Sequence, residues 1–298
     1  MIRVLLVEGN EAEARDARAM LQQVGQGQIE VTHVTRLSTA LRRLSNESFD
    51  AILLAGALVD THGLDTLDLV QAALIRMPIV VLSDQQDPAL ERKAIQRGVQ
   101  DVVVKKNWTS EQLASSVYHA IDRKRAERSL AYLAQYDPLT ALANRALFHD
   151  RLAHALAMAK RKKHEVGVVL LGLDRFQEVV GQHGPEVGDA LLIATADRMK
   201  QCMREVDTVA RLGGDVFTCL LEGITCKNDM EIVAKRILAS MTKPVKITDQ
   251  DVVVTVSLGL AVFPLDGQDP DELLDCAKEA MTRAQEAGGN GYHLNVSQ

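Results

Sequence analysis

Residues 206–222 read VDTVARLGGDVFTCLLE, and this stretch organises the second half of the predicted fold. Two apolar runs flank a turn with two glycines, which is typical of antiparallel strands joined by a tight hairpin. A turn of two glycines and an acid is able to hold a phosphate or a metal ion. The position after the acid, where a second carboxylate would strengthen such a site, is a valine. The turn consists of Gly213, Gly214, Asp215, Val216 and Phe217.

The segments around this hairpin alternate between strand and helix patterns. Apolar runs predict four strands, over 166–173, 206–214, 216–222 and 252–264. Helical patterns are predicted from near Arg145, in the region between the strands 166–173 and 206–214, around 229–241 and over 270–288. This order, with the hairpin at its centre, predicts an α+β domain over residues 136–298 and resembles that of palm-like nucleotidyl-cyclase domains.

The first 107 residues alternate short apolar runs with helical patterns. Continuous apolar strands suit a sheet buried on both faces, so residues 1–108 are predicted to form an α/β domain with a doubly wound, parallel, five-stranded sheet. The predicted strands are 2–8, 29–34, 50–55, 78–83 and 101–105. Ligands bind such sheets beyond the carboxyl ends of the strands. The residues at those ends are Glu8, Gly9, Ala55, Ser83 and Lys105.

These strand ends resemble those of response-regulator receiver domains. In that family an acidic pair follows the first strand, the phosphorylated Asp ends the third, Ser or Thr ends the fourth and Lys ends the fifth. Glu8, Ser83 and Lys105 match, whereas Gly9 replaces one acid and Ala55 replaces the phosphoacceptor. Phosphoryl transfer needs a carboxylate nucleophile and oxygen ligands for a metal ion. The resemblance therefore implies a pseudo-receiver domain that takes no phosphate.

Three further residues bear on this interpretation. Val102 stands where the receiver family often has an aromatic switch residue. Asp60 lies five residues after Ala55 and is the alternative phosphoacceptor, although we expect it in the following loop. Lys105 has a structural alternative, because a Lys beside a Glu is more often an ion pair than a catalytic group.

Residues 136–298 resemble the GGDEF family of diguanylate cyclases. The motifs that carry the resemblance occur in family order and are YDPLTALANR, LGLDRF, GPEVGDALL, REVDTVARLGGDVF, VTVSLGLAVFP and AMTRAQEAGGNGY. Active members join two GTP molecules into cyclic di-GMP, and the chemistry needs a divalent metal ion held by carboxylates.

The chain departs from the family pattern at the positions that bind metal and GTP. Gly172 and Val216 stand where the family has metal-ligand carboxylates, and Val180 replaces the Asn that reads guanine. Gln285 and Gly289 replace the Lys and Arg that meet the triphosphate. Each lost charge-assisted contact costs about 1.5–3 kcal/mol. The resemblance thus implies a degenerate domain without cyclase activity, with no resident metal and no cofactor.

Two elements of the family's ligand sites are kept. Asp189 matches the second guanine contact, with capping of the following helix as its structural alternative. Arg204 and Asp207 form the R-x-x-D motif, nine residues before the turn, which resembles the family's inhibitory site for cyclic di-GMP. Lys235 or Arg236 is expected to add a basic group there. The alternative for this motif is a surface ion pair.

Residues 109–135 contain no Gly or Pro and predict one long helix between the two domains. Its apolar positions recur at helical spacing, whereas the run DRKRAER interrupts them with charge. Two interpretations stay open: the helix packs on the first domain, or it pairs with its copy in a homodimer.

Composition limits the remaining function classes. The net charge of −6 and the single tryptophan, Trp108, argue against a nucleic-acid partner. The apolar runs are too short to span a membrane, and four cysteines without paired spacing suit a cytoplasmic protein. The sequence favours a non-catalytic signalling module that contacts protein partners and binds cyclic di-GMP as a ligand. The alternatives are the regulatory front part of a longer GGDEF–EAL phosphodiesterase, and an active cyclase with relocated metal ligands.

Overall fold

The computed structural model describes residues 1–25, 27–61, 66–70, 77–224, 227–247 and 250–295. The chain divides into two compact units, Met1–Leu130 and Ala131–Gln298. No helix within the described ranges is long and apolar enough to cross a membrane.

The N-terminal unit is the predicted five-stranded parallel sheet with helices on both faces. Its strands are β1 (Ile2–Val7), β2 (Ile29–Val34), β3 (Ala51–Ala55), β4 (Ile79–Ser83) and β5 (Asp101–Val104). They are ordered β2-β1-β3-β4-β5, and every pairing is parallel. The helices are α1 (Glu11–Gly25), α2 (Leu37–Leu44), α3 (Pro88–Gln96) and α4 (Ser110–Leu133), with a 3₁₀ turn over Lys105–Asn107. Residues 66–70 are also helical.

Helix α4 belongs in its first half to the N-terminal unit. Leu113, Val117 and Ile121 are buried in one core with Leu6 and Leu53 of the sheet. The boundary between the compact units falls near the end of this helix, after Leu130. The first interpretation of the predicted helix, packing on its own domain, therefore describes residues up to Ile121.

The C-terminal unit is the predicted α+β domain. Its main sheet has the order β12-β11-β6-β8-β7, with β7 and β8 as the predicted hairpin. The strands are β6 (Glu165–Leu173), β7 (Thr208–Gly213), β8 (Val216–Ile224), β9 (Val245–Ile247), β10 (Gln250–Val252), β11 (Val256–Phe263) and β12 (Gly291–Leu294). The helices are α5 (Arg145–Lys162), α6 (Phe176–His183), α7 (Pro185–Cys202), α8 (Lys227–Met241) and α9 (Pro270–Glu286).

The single strand predicted over 252–264 is wrong, because β10 ends at Val252 and β11 begins at Val256. Thr255, between them, instead makes two contacts with Asp174: its carbonyl accepts from the Asp174 N–H, and its hydroxyl donates to the carboxylate. Strands β9 and β10 form a separate two-stranded sheet, whereas β11 belongs to the main sheet. The contacts of Thr255 with Asp174 lie at the passage from one sheet to the other.

Candidate functional site

The hairpin turn between β7 and β8 depends on its two glycines. Gly213 and Gly214 have φ values of 130° and 55°, the region in which side chains are strained. Arg211 stabilises the turn, because its Nη2 and Nε donate hydrogen bonds to the Gly214 carbonyl at 2.7 and 3.0 Å. Asp215 lies at the tip and Phe217 is fully buried. The sequence thus folds a rigid turn with one carboxylate at its end.

Arg211 also links this turn to the start of the domain. Its Nη1 donates to both oxygens of Asp137, at 3.1 and 3.2 Å, and both side chains are mostly buried. Asp137 further accepts from the amide and hydroxyl of Thr140, at 2.9 and 2.6 Å. Burial by itself would raise the pKa of Asp137, but the hydrogen bonds from Thr140 and Arg211 outweigh it and lower that pKa. In the motif YDPLT, Asp137 and Thr140 therefore stabilise the turn through Arg211.

This lowered pKa predicts a pH-dependent contribution to stability. A carboxyl group whose pKa is depressed on folding stabilises the fold above its ordinary pKa, here 3.8, and loses that effect as the pH falls through the folded value. The difference in unfolding free energy between the native chain and Asp137→Asn should therefore be full above about pH 5 and shrink below about pH 4. Urea unfolding across this range measures it.

The control for this experiment is Asp150→Asn, which changes an exposed carboxyl on α5. Its difference from the native chain should stay small, because an exposed side chain without special contacts contributes little to stability. If the Asp137→Asn difference did not change with pH, the ion pair with Arg211 would contribute nothing to the pH dependence.

Gly172 and Val216 lie directly opposite each other in the ladder between β6 and β8. These are the two positions at which the sequence resemblance expects metal-ligand carboxylates. A Cβ at position 172 would lie 3.1 Å from Nε2 of Gln285 and 3.2 Å from Sδ of Met281. Side chains of α9 therefore occupy the space into which a carboxylate at 172 would project.

Two other positions, at which the resemblance expects GTP contacts, also lie close to neighbouring side chains. Val180 faces the helix α7 backbone, since a Cβ at Gly188 would lie 2.7 Å from its Cγ2. Gly289 has a φ of 73°, and a Cβ there would lie 2.8 Å from Oδ2 of Asp174. A side chain at position 289 is thus opposed both by backbone conformation and by the neighbouring carboxylate.

Asp174 is a structural residue that sequence reasoning did not single out. Its carboxylate accepts from the hydroxyls of Thr255 and Ser257, both at 2.7 Å, and from the Asn290 amide at 2.9 Å. It ties the end of β6 to β11 and to the loop before β12. Its position two residues after Gly172, at a strand end, is the signal that could have revealed it.

Asp189 is exposed and is the fifth residue of α7, which begins at Pro185. The alternative that it caps this helix is therefore wrong. Pro185 occupies the first helical position, where its fixed φ suits the helix and its missing N–H is no loss. The N-cap is Gly184, which has no capping side chain.

The R-x-x-D motif forms a compact loop between α7 and β7. Oδ2 of Asp207 accepts from the Arg204 amide at 2.9 Å. Arg204 and Asp207 line a pocket of about 100 Å³ together with Arg236 of α8 and Glu222 of β8. Lys235 does not line it, because its ammonium pairs with Glu231 at 3.2 Å. Of the two expected basic residues, the structure thus brings Arg236 to the motif.

In the N-terminal unit, the predicted strand-end residues lie together at one edge of the sheet. Ala55 is fully buried, and the Ser83 hydroxyl donates to the Gln85 carbonyl at 2.7 Å. Lys105 forms an ion pair with Glu8 at 2.7 Å, as its structural alternative predicted.

Asp60, the alternative phosphoacceptor, binds the N-terminus of α2 with its carboxylate. Its two carboxylate oxygens accept from the Leu37 amide at 3.0 Å and from the amide and hydroxyl of Ser38 at 3.1 and 3.0 Å. Burial by itself would raise the pKa of Asp60, but these hydrogen bonds outweigh it and lower that pKa. Asp60 therefore caps the N-terminus of α2 from the loop after β3.

Comparison with protein families matches both units. Residues 134–291 match the family described as diguanylate cyclase, GGDEF domain. The chain belongs to the GGDEF family. Residues 4–118 match the response regulator receiver domain. A receiver domain followed by a GGDEF domain, as the sequence predicted, is thus the architecture of this signalling protein.

The curated relatives match between about half and most of this chain. MucR of Pseudomonas aeruginosa, a bifunctional diguanylate cyclase/cyclic di-GMP phosphodiesterase, is 39% identical over 56% of this chain and 24% of MucR. An uncharacterized signalling protein of Caulobacter vibrioides is 29% identical over 85% of this chain and 34% of that protein. The chain spans about a quarter to a third of these relatives.

Solved structures include similar GGDEF domains. The crystal structure of the GGDEF domain of TpbB from Pseudomonas aeruginosa aligns with a TM-score of 0.52 at 34% identity. The alignment covers 53% of this chain and 99% of that one. The GGDEF domain described above thus has the fold of its relatives.

Proposed function

We propose that this protein is a non-catalytic cyclic di-GMP signalling module. Its GGDEF domain makes no cyclic di-GMP, its receiver domain takes no phosphate, and the chain acts through contacts with protein partners. Cyclic di-GMP binds at the pocket of Arg204, Asp207 and Arg236. The observation that carries the proposal is the facing pair Gly172 and Val216, two positions without a carboxylate at the centre of the expected metal site.

The surroundings of this pair support the loss of catalysis. A relocated ligand would have to come from a nearby carboxylate, and Asp174 is the nearest in sequence to Gly172. Asp174 already accepts three hydrogen bonds from Thr255, Ser257 and Asn290. A metal ion bound by Asp174 would displace those partners and leave the buried hydroxyl of Ser257 without its acceptor.

The chemistry of the pocket supports cyclic di-GMP as its ligand. The guanidinium groups of Arg204 and Arg236 are suited to phosphate oxygens and to the acceptor edge of guanine. The Asp207 carboxylate is suited to the N–H groups of guanine. One oxygen of Asp207 holds the Arg204 amide, which keeps the loop in a fixed shape before any ligand binds.

Contacts with other proteins are supported by the end of α4. Leu130 and Leu133 are 68% and 49% exposed, and Tyr132 beside them is 44% exposed. Leu130 and Leu133 are three residues apart, so they share one side of the helix. We propose that this surface meets a second copy of the chain or another protein of the pathway.

The test is to titrate cyclic di-GMP into the purified chain in a calorimeter, and separately to incubate the chain with GTP and Mg²⁺ or Mn²⁺. We expect binding in the titration, and no cyclic di-GMP product above a heat-killed control. Product formation would overturn the non-catalytic proposal and favour a cyclase with relocated ligands. Absence of binding would leave protein contacts as the remaining function.

A second candidate function is regulation of a longer phosphodiesterase. MucR and the cyclic di-GMP phosphodiesterase PdeR of Escherichia coli are matched over only 24% and 25% of their length. In this case, the chain would act in cis on a catalytic EAL domain. Sequencing the full-length transcript past the codon of Gln298 tests this candidate.

A further inference from the structure

The ammonium group of Lys105 lies among three carboxylates from different parts of the receiver domain. Its Nζ is 2.7 Å from Oε2 of Glu8, 2.6 Å from Oε2 of Glu13 and 3.0 Å from Oδ1 of Asp84. Glu8 follows β1, Glu13 lies in the first turn of α1, Asp84 follows β4, and Lys105 itself follows β5. One side chain therefore joins four elements of the fold.

This cluster differs from a surface ion pair in its burial. The side chains of Lys105 and Glu8 are 10% and 3% exposed. The other oxygen of Glu8 accepts from the Asn10 amide at 2.9 Å. A buried carboxylate without a cation is strongly destabilising, so Lys105 is required by its surroundings.

The environment of Lys105 keeps it charged. Burial by itself would lower the pKa of Lys105, but hydrogen bonds to Glu13, Glu8 and Asp84 outweigh it and raise that pKa.

We propose that Lys105 is the built-in counter-ion of the receiver domain. It latches β1, α1, β4 and β5 together and makes the structure of this domain independent of divalent cations. The three carboxylates and the ammonium together carry a net charge of −2. Removing Lys105 would leave the carboxylates without their cation, so the same oxygens would attract a hard cation such as Ca²⁺. This role does not depend on the proposed binding of cyclic di-GMP, which concerns the other domain.

The experiment uses Trp108, the only tryptophan of the chain, as a local probe. Its amide donates to the Lys105 carbonyl at 3.5 Å, and its ring packs on the core shared by the sheet and α4. Thermal unfolding followed by Trp108 fluorescence therefore reports on the receiver domain of the full chain. We compare the native chain with Lys105→Met and with Lys106→Met, which changes the adjacent, exposed lysine.

We expect Lys105→Met to lower the unfolding midpoint by about 10 °C, and Lys106→Met to leave it nearly unchanged. Addition of about 10 mM Ca²⁺ should raise the midpoint of Lys105→Met by several degrees, because the freed carboxylates bind it. The same addition should leave the native midpoint unchanged. Adding Glu8→Gln to Lys105→Met should abolish the Ca²⁺ effect.

Three results would overturn the proposal. These are equal midpoints for the two lysine variants, no gain of Lys105→Met from Ca²⁺, and stabilisation of the native chain by Ca²⁺ to the same degree as the variant. If Lys105→Met does not fold, Glu13→Gln takes its place, with the exposed Glu11→Gln as its control. Glu13→Gln must then lower the midpoint more than Glu11→Gln does, and equal midpoints would overturn the latch.

Discussion

Replacing Arg204 by alanine is expected to weaken the binding of cyclic di-GMP about 10- to 100-fold. The expected loss is that of one hydrogen bond from a charged donor, which contributes about 1.5–3 kcal/mol. Arg204 is exposed, so the substitution should leave the stability of the domain nearly unchanged. Calorimetric titration of the ligand into the variant and the native chain measures the ratio of the two dissociation constants.

The matched control is Lys235→Ala, which removes a cation one residue from Arg236. Lys235 pairs with Glu231 and does not line the pocket. Its removal should therefore change the affinity less than about twofold, whereas Arg236→Ala should weaken it as Arg204→Ala does. Equal affinities for the native chain and Arg204→Ala would place the ligand elsewhere on the protein.

Replacing Arg211 by alanine is expected to lower the free energy of unfolding of the GGDEF domain by about 2–4 kcal/mol. The loss has two sources. Asp137 would remain as a mostly buried carboxylate without its guanidinium, and the Gly214 carbonyl would lose two donors. Scanning calorimetry of the intact chain measures the change, and Trp108 fluorescence should show that the receiver domain unfolds as before.

The control for Arg211 is Arg145→Ala. Arg145 is also an arginine near the turn, but its Nε makes one long hydrogen bond, at 3.4 Å, to the Leu212 carbonyl from an exposed position. We expect a loss of less than about 1 kcal/mol for this variant. A similar loss in both variants would mean that the contact with Asp137 does not anchor the turn.

The main strands could be predicted because their residues carry the signal themselves. The run at 29–34 is β2 in the structure, and 166–173 differs from β6 by one residue. The lack of a carboxylate at position 172, where the resemblance expects a metal ligand, was equally readable, since a glycine has no side chain in any fold. Where residues 253–255 interrupt the predicted strand, the prediction was wrong, because the contact of Thr255 with Asp174 is invisible in the local pattern.

Several site assignments depended on contacts between residues far apart in sequence. Asp60 could be assigned to the α2 N-terminus only when the loop after β3 was placed beside Leu37 and Ser38. Which of Lys235 and Arg236 lines the pocket depends on how α8 packs beside the R-x-x-D loop. Helical spacing alone places both residues near each other and does not show which of them faces the pocket.

By itself, the sequence determined the two domains, their sheets and the residue types missing from the expected GTP site. It could do so because apolar periodicity and side-chain chemistry are properties of short segments. Only the tertiary structure showed that Gly172 faces Val216, that Arg211 reaches Asp137 and that Lys105 meets three carboxylates. The residues in these contacts lie 44 or more positions apart, except for Asp84, which lies 21 positions before Lys105. Packing and electrostatics select such partners only after the strands have been assembled.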